Sequence, residues 1–228
     1  MISPVPVPRL YIVTDRAATG GRPLAAVVRA ALAGAGAGGL QAGEVAVQLR
    51  EKDLGGRALR QLAGELREVT RAAGASLFVN DRIDVALAVG ADGVHLGGAS
   101  LSAGDVRAIA PALAIAVSAH APGDLEGLAG LAAFAVFGPI RDTPSKRAYG
   151  TPVGVDLLRA AAAAGVPLLA IGGLTVGDVP EIQREGARGL ACIRAVMSAG
   201  DPAAAAATLG RALSAPSGPA PVTGPHRT

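Results

Sequence analysis

Residues 78–97 read FVNDRIDVALAVGADGVHLG. Two short apolar runs, Ser76–Val79 and Gly93–Leu96, flank a stretch over Asp81–Ala88 that has helical spacing. Apolar runs without polar alternation, joined through a helix, predict neighbouring parallel strands covered on both faces. The same unit recurs on either side. Leu10–Thr14, Val45–Leu49, Ile115–Ser118, Phe134–Phe137, Leu168–Ile171 and Gly189–Ile193 read as strands. Pro23–Ala33, Arg57–Ala73, Ser102–Ala110, Gly123–Ala132, Val155–Ala163, Val176–Glu185 and Pro202–Leu213 read as helices. Eight strands alternating with eight helices predict an α/β fold, a single (β/α)8 TIM barrel, since open doubly wound sheets more often stop at five to seven strands.

The barrel is expected over residues 9–213, after an N-terminal extension at 1–8 and before a Pro/Gly-rich, disordered tail at 214–228. His226 falls in that tail and carries little functional weight. Gly34–Gly39 (GAGAGG) is not followed by the Lys-Ser/Thr of a phosphate loop and reads as a flexible connection.

Composition narrows the function classes. The 228 residues are 50% hydrophobic and 17% charged, too apolar and too balanced for a disordered chain. Every apolar run is interrupted by Gly or a charge before the ~20 residues that a bilayer crossing needs. The start, MISPVPVPRLYIVTD, lacks the charged and apolar regions of a signal peptide, so a cytoplasmic protein with no membrane partner is expected. One cysteine, Cys192, excludes an intrachain disulfide and a multi-cysteine metal site, and it reads as a buried strand residue. A net charge of +3, with no Trp, 2 Tyr and 3 Phe, gives no stacking platform for nucleic acid. Small phosphorylated molecules are the expected partners; a homo-oligomer is left open.

In a barrel the chemistry gathers where strands end and βα loops begin. The second strand runs into Gln48-Leu49-Arg50-Glu51-Lys52, where alternation would turn an amide and two cations to the mouth, unless this is a solvated charged loop. The third ends in Asn80-Asp81; taken alone, such a pair reads first as a cap on the next helix. At a barrel mouth its carboxylate could equally hold Mg2+. His95, Ser118 and His120 follow the fourth and fifth strands, and an isolated strand-end histidine is more often structural. The sixth strand leads into FGPIRDTPSK, with Thr143, Ser145 and Lys146 in a loop long enough to fold over a ligand. Gly172-Gly173 and Ile193-Arg194, after the seventh and eighth, stand where barrels present bare amides to phosphate. Cations, a carboxylate, hydroxyls and glycines on one rim predict a substrate with more than one phosphate, bound as pyrophosphate with Mg2+. No triad order or paired carboxylates are evident, so stabilisation of a departing anion fits better than covalent catalysis.

VQLREKDL (47–54), FVNDRIDVALAVGADGVHLG (78–97), FGPIRDTPSK (137–146) and AIGGLT (170–175) resemble the thiamine-phosphate synthase/thiazole tautomerase superfamily, in order, over about residues 9–213. The resemblance implies a (β/α)8 barrel that joins hydroxymethylpyrimidine pyrophosphate to thiazole phosphate, releasing pyrophosphate. It implies that Gln48, Arg50 and Lys52 contact pyrimidine and pyrophosphate, that Asn80 binds pyrophosphate, and that Asp81 ligates Mg2+. Ser118 would face the pyrimidine or its reactive carbon. Thr143, Ser145 and Lys146 would cover both substrates, with Lys146 on the pyrophosphate; Gly173 and the amides near Ile193 would hold the thiazole phosphate. Pyrophosphate would leave first, and the thiazole nitrogen would capture a stabilised pyrimidine cation.

Two positions depart from the family pattern. Synthases continue HLG with Gln-x-Asp, whose Asp is a second Mg2+ ligand; here the segment is His95-Leu96-Gly97-Gly98-Ala99-Ser100. Arg194 stands where a Ser is usual near the phosphate. The tautomerase branch often lacks the second carboxylate and uses a His at the His120 position as acid/base, but it tends to lose the cations and the Asn-Asp pair kept here. Synthase is therefore the favoured expectation. Tautomerase, or a catalytically weak barrel that binds thiazole or thiamine phosphates, is the alternative.

Overall fold

A computed structural model describes residues 5–142 and 152–215. Eight strands, β1 (Leu10–Val13), β2 (Val45–Leu49), β3 (Ser76–Asn80), β4 (Gly93–Leu96), β5 (Ala114–Ala119), β6 (Phe134–Phe137), β7 (Leu168–Ile171) and β8 (Ala187–Cys192), pair in parallel in that order and close through β1 and β8. The helices of the outer layer are α1 (Leu24–Ala37), α2 (Gly56–Ala72), α3 (Ile83–Val89), α4 (Ala103–Ile109), α5 (Gly154–Ala162), α6 (Val179–Arg184), α7 (Arg194–Met197) and α8 (Pro202–Ser214). The expected (β/α)8 barrel is therefore present.

Strand side chains divide by alternation. Outward residues such as Leu10, Ile12, Val47, Leu77, Val79 and Ile115 meet the helices in one continuous core. Inward residues form a second cluster around Tyr11, Phe78, Phe134, Val136 and Leu169. The rings of Tyr11, Phe78 and Phe134 meet nearly edge to face, with centroids 5.2–5.8 Å apart. Such contacts add about 0.5–1.5 kcal/mol each beyond area burial. They fill the barrel below its mouth and make a floor for whatever binds above.

Two expected segments differ. Gly34–Gly39 is no flexible connection: α1 runs on to Ala37, and Gly34 and Gly38 form the seam against α8. A Cβ on Gly34 would lie 2.1 Å from the Ala203 carbonyl oxygen, and one on Gly38 would lie 2.4 Å from that of Ala207. The absent side chains let the two helix backbones touch. Conversely, Gly123–Ala132 is not a helix. It makes one 3-10 turn at Pro122–Leu125, because Gly127 and Gly130 adopt positive φ of 72° and 75°, outside the helical region.

The seam makes a paired prediction. Gly34→Leu should overpack α1 against α8, cost about 1–3 kcal/mol and lower Tm by several degrees in a thermal melt. Gly36→Ala, on the exposed face of the same helix with nothing within 4 Å, should stabilise by about 0.5–1 kcal/mol.

Candidate active site

The mouth is built from strand ends. Gln48, the fourth residue of β2, points inside the barrel and is buried. Its Nε2 donates to Asn80 Oδ1 at 2.9 Å, and Asn80 Nδ2 donates to Asp81 Oδ2 at 2.6 Å. Asp81 adopts φ +60°, a left-handed conformation that costs a non-glycine residue about 1–2 kcal/mol. Its N–H donates to the His95 carbonyl at 3.0 Å, tying the end of β3 to β4. The Asn80-Asp81 pair does not cap α3: the N-cap position is Arg82, and no side chain caps it. The left-handed turn aims Asp81 across the rim instead. There Ser100 Oγ donates to Asp81 Oδ1 while accepting from the Gly97 N–H at 2.7 Å. Ser100 thus sits against the carboxylate, where the family pattern puts its second acid.

Beneath this rim lies a neutral chain of hydrogen bonds. The Tyr11 hydroxyl is 3.2 Å from His95 Nδ1, and His95 Nε2 is 2.9 Å from Ser118 Oγ. The tyrosine and imidazole rings stack at 5.7 Å. His95 is 3% exposed, and desolvation pushes its pKa down to about 3, against an upward pull from Asp81 and with a downward push from Arg50. Both charges therefore act on one point beneath the mouth. Burial likewise raises the Tyr11 pKa, so this chain stays uncharged at neutral pH.

The cations lie over β1, β2 and β8. Arg50, Lys52 and Ile193 line a groove of about 760 Å3 together with Thr14, Arg16 and Glu51. Glu51, 7% exposed, accepts from Thr14 Oγ1 at 2.7 Å and from the Arg16 N–H at 3.1 Å. The Arg50 N–H donates to Thr14 Oγ1 at 2.9 Å. Inward Glu51 pins the loop and leaves Arg50 and Lys52 outward; neither has a carboxylate partner among the described residues.

Gly172 and Gly173 have φ of 101° and 65°. A Cβ on Gly173 would sit 2.7 Å from Arg141 Cβ and 2.8 Å from the Asp142 carbonyl oxygen. The glycines therefore let the β6 loop close over β7, besides leaving the backbone bare. Arg194 is exposed and begins the four-residue α7, directly after Ile193. His120 stands after β5 with Nδ1 on the Gly138 carbonyl and its backbone N–H on Asp124 Oδ2 at 2.7 Å. Cys192 is buried, with its thiol pushed up to about 12 and inert as a nucleophile. Thr143, Ser145 and Lys146 lie outside the described residues.

Sequence reasoning set Gln48, Arg50, Lys52, Asn80, Asp81, Ser118 and Ile193 on one rim; the structure joins Gln48 to Asn80 and Asp81, sets Ser118 on His95, and lines a groove with Arg50, Lys52 and Ile193. Sequence reasoning missed the supports: Tyr11, the Thr14–Glu51 bond and Arg16. Tyr11 was signalled only by its inward parity with Val13 in β1.

Keeping His95 neutral has a cost in acid. The unfolded chain binds a proton near the ordinary histidine pKa while the folded chain does not, so stability must fall as pH drops from about 6.5 towards 3. His95→Gln should flatten that limb by up to about 1.4 kcal/mol per pH unit, as measured by denaturant melts at stepped pH.

The chain matches the family described as thiamine monophosphate synthase over residues 10–196. The thiamine-phosphate synthase of Roseiflexus castenholzii is 42% identical over 216 residues, covering 92% of this chain and 91% of that protein. That of Chloroflexus aurantiacus is 41% identical over 207 residues, covering 90% and 92%. Among solved structures, thiamine phosphate pyrophosphorylase from Pyrococcus furiosus superposes with a TM-score of 0.78 at 32% identity, covering 90% of this chain and 95% of that one. With barrel, matched length and identity in agreement, the chain belongs to the thiamine-phosphate synthase family.

Proposed function

We propose that this chain joins hydroxymethylpyrimidine pyrophosphate to thiazole phosphate, with Mg2+, to give thiamine phosphate and pyrophosphate. The observation that carries the reading is an oriented carboxylate, Asp81, at the end of β3, together with two cations after β2, Arg50 and Lys52, that have no carboxylate partner among the described residues. That arrangement suits a polyanion that leaves, and it offers no strong base. In this reading the bond between the pyrimidine methylene and the pyrophosphate oxygen breaks, and its electron pair departs with pyrophosphate. The thiazole nitrogen lone pair then forms the new C–N bond. Arg50 and Lys52 neutralise the leaving group, and Asn80 spans the gap between it and Gln48. Lys146 and the hydroxyls of Thr143 and Ser145 are assigned the covering role on the family resemblance alone. Gly173, Ile193 and Arg194 take the thiazole phosphate.

The donors at Asp81 fit a hard ion: a carboxylate with a hydroxyl beside it, all oxygen. Among the described residues no group of three or more His, Cys, Asp or Glu gathers as a metal cluster, so the remaining positions would be water and phosphate oxygen. Asp81 would hold Mg2+ with Ser100 beside it. The bound ion would supply positive charge to the departing pyrophosphate.

A second reading, thiazole tautomerisation, has one observation in its favour. With Nδ1–H donated to the Gly138 carbonyl, His120 Nε2 has no hydrogen-bond partner among the described residues and can face a ligand. An end-point assay with both substrates separates the two. Thiamine phosphate should form with Mg2+ and not without it. No product under either condition, with a thiazole carboxylate tautomer still isomerised, would replace this reading by tautomerase; a ligand-induced rise in Tm alone would make the chain a binder. Lys146→Ala should cripple synthesis and His120→Ala should leave it nearly intact. Ser100→Asp should lower the Mg2+ concentration for half-maximal rate, and an unchanged value would place Ser100 outside the metal shell.

A further inference from the structure

The hydrogens in the chain Tyr11–His95–Ser118 can be counted. Tyr11 is fully buried, and its hydroxyl has one partner among the described residues, His95 Nδ1 at 3.2 Å. His95 is buried too, and its other nitrogen reaches Ser118 Oγ at 2.9 Å. Ser118, between the buried Val117 and Ala119, is itself only half-buried. A neutral imidazole carries one N–H, and each hydroxyl carries one O–H.

Two arrangements fit the distances. In the first, Tyr11 O–H donates to Nδ1, Nε2–H donates to Ser118 Oγ, and the serine hydrogen is left to point away from the ring. In the second, Nδ1–H donates to the tyrosine oxygen and Ser118 O–H donates to Nε2. The tyrosine hydrogen is then left in the buried interior with no acceptor among the described residues. A buried donor without a partner is disfavoured, whereas the spare serine hydrogen of the first arrangement faces the mouth, where a ligand can accept it.

We propose that Tyr11 and His95 are positioning residues that fix the polarity of Ser118, making it an obligate hydrogen-bond donor to the bound substrate. The site then selects a substrate with a lone pair at that point, such as an aromatic ring nitrogen, and rejects an analogue that presents an N–H or amino group there. Proximity alone would let a serine donate or accept; the buried tyrosine removes the choice. The substrate half of this inference rests on the preceding reading, in which Ser118 faces the pyrimidine.

The test has one arm that needs no turnover. In the full-length protein labelled with 15N-histidine, long-range 1H–15N NMR should show His95 as the Nε2–H tautomer, its signal identified by loss in His95→Gln. Tyr11→Phe keeps the ring packing and removes only the hydroxyl, so it should turn that signal into a mixture of tautomers. Detection of Nδ1–H in the unaltered protein would overturn the polarity, whatever the activity. The second arm is kinetic. Tyr11→Phe should lower kcat/KM for the pyrimidine substrate by about three- to tenfold, the usual loss for one neutral hydrogen bond. In a Ser118→Ala background it should cost nothing further. Additive losses would overturn the inference, because Tyr11 would then act elsewhere than through Ser118. An Nε2–H tautomer together with a Ser118→Ala variant of unchanged kinetics would overturn the donor role toward substrate, and would trace that failure to the placement of the pyrimidine.

Discussion

Everything at the mouth depends on closure of the sheet between its first and last strands. Leu10, Tyr11 and Ile12 pair with Leu190, Ala191 and Cys192, and the Leu190 N–H reaches the Arg9 carbonyl at 2.9 Å. The joint holds only if the outer layer closes over it. α1 and α8 meet there, and they come close because glycines face backbone on both helices: Gly34 and Gly38 on one, Gly210 on the other, where a Cβ would lie 2.9 Å from the Ala35 carbonyl oxygen. Closure sets Tyr11 on β1 across the interior from His95 on β4, and Ile193, past β8, beside Arg50, past β2. Spread the seam, and the relay and the groove both come apart.

The division of charge across that mouth follows from depth. Inside, where desolvation dominates, polar groups are neutral and satisfied by one another: Gln48 by Asn80, His95 by Tyr11 and Ser118. At the rim, where water screens, Arg50 and Lys52 are exposed and Asp81 takes neutral donors from Asn80 and Ser100. His95 records the boundary. Desolvation is the largest influence on it, and Arg50 pushes the same way against the upward pull of Asp81. A charged imidazole here would have to take its charge into the aromatic interior of the barrel, where among the described residues the one carboxylate acting on it is Asp81 at the exposed rim.

The strands were legible because parallel strands covered on both faces show as unbroken apolar runs; Val45–Leu49, Gly93–Leu96, Phe134–Phe137 and Leu168–Ile171 are found with the expected limits. The two misses share a cause. Glycine marks both chain freedom and close approach, and sequence alone does not separate them: at Gly34–Gly39 approach won, and at Gly127 and Gly130 the positive φ did. In the site, alternation along β2 turned Gln48 to the interior as expected, and Asn80 and Ser118 stand at the strand ends where the sequence placed them. What parity could not show is which partners meet across the barrel. Tyr11 looks like any core aromatic until His95 is found 3.2 Å away, and Ser100 reaches Asp81 only because Asp81 turns left-handed.

The Asp81–Ser100 contact also explains how a single carboxylate can stand at this rim in good order. Two carboxylates at ~4 Å repel by about 4 kcal/mol at an effective dielectric of 20, and such a pair must gather a cation or a proton to stay together. A serine reverses the sign of the contact. Its hydroxyl donates to one carboxylate oxygen, Asn80 donates to the other, and the Gly97 N–H completes the serine's own bonding. Asp81 is thereby oriented by the protein's own hydrogen bonds, with no cationic side chain in an ion pair with it among the described residues. The left-handed backbone strain at Asp81 is offset by three bonds that converge on that residue, its own N–H on the His95 carbonyl among them. Asp81 at the end of β3 is thus an oriented negative charge, while Arg50 and Lys52 after β2 are exposed cations, an asymmetry that suits a ligand with its anionic end toward Arg50 and Lys52.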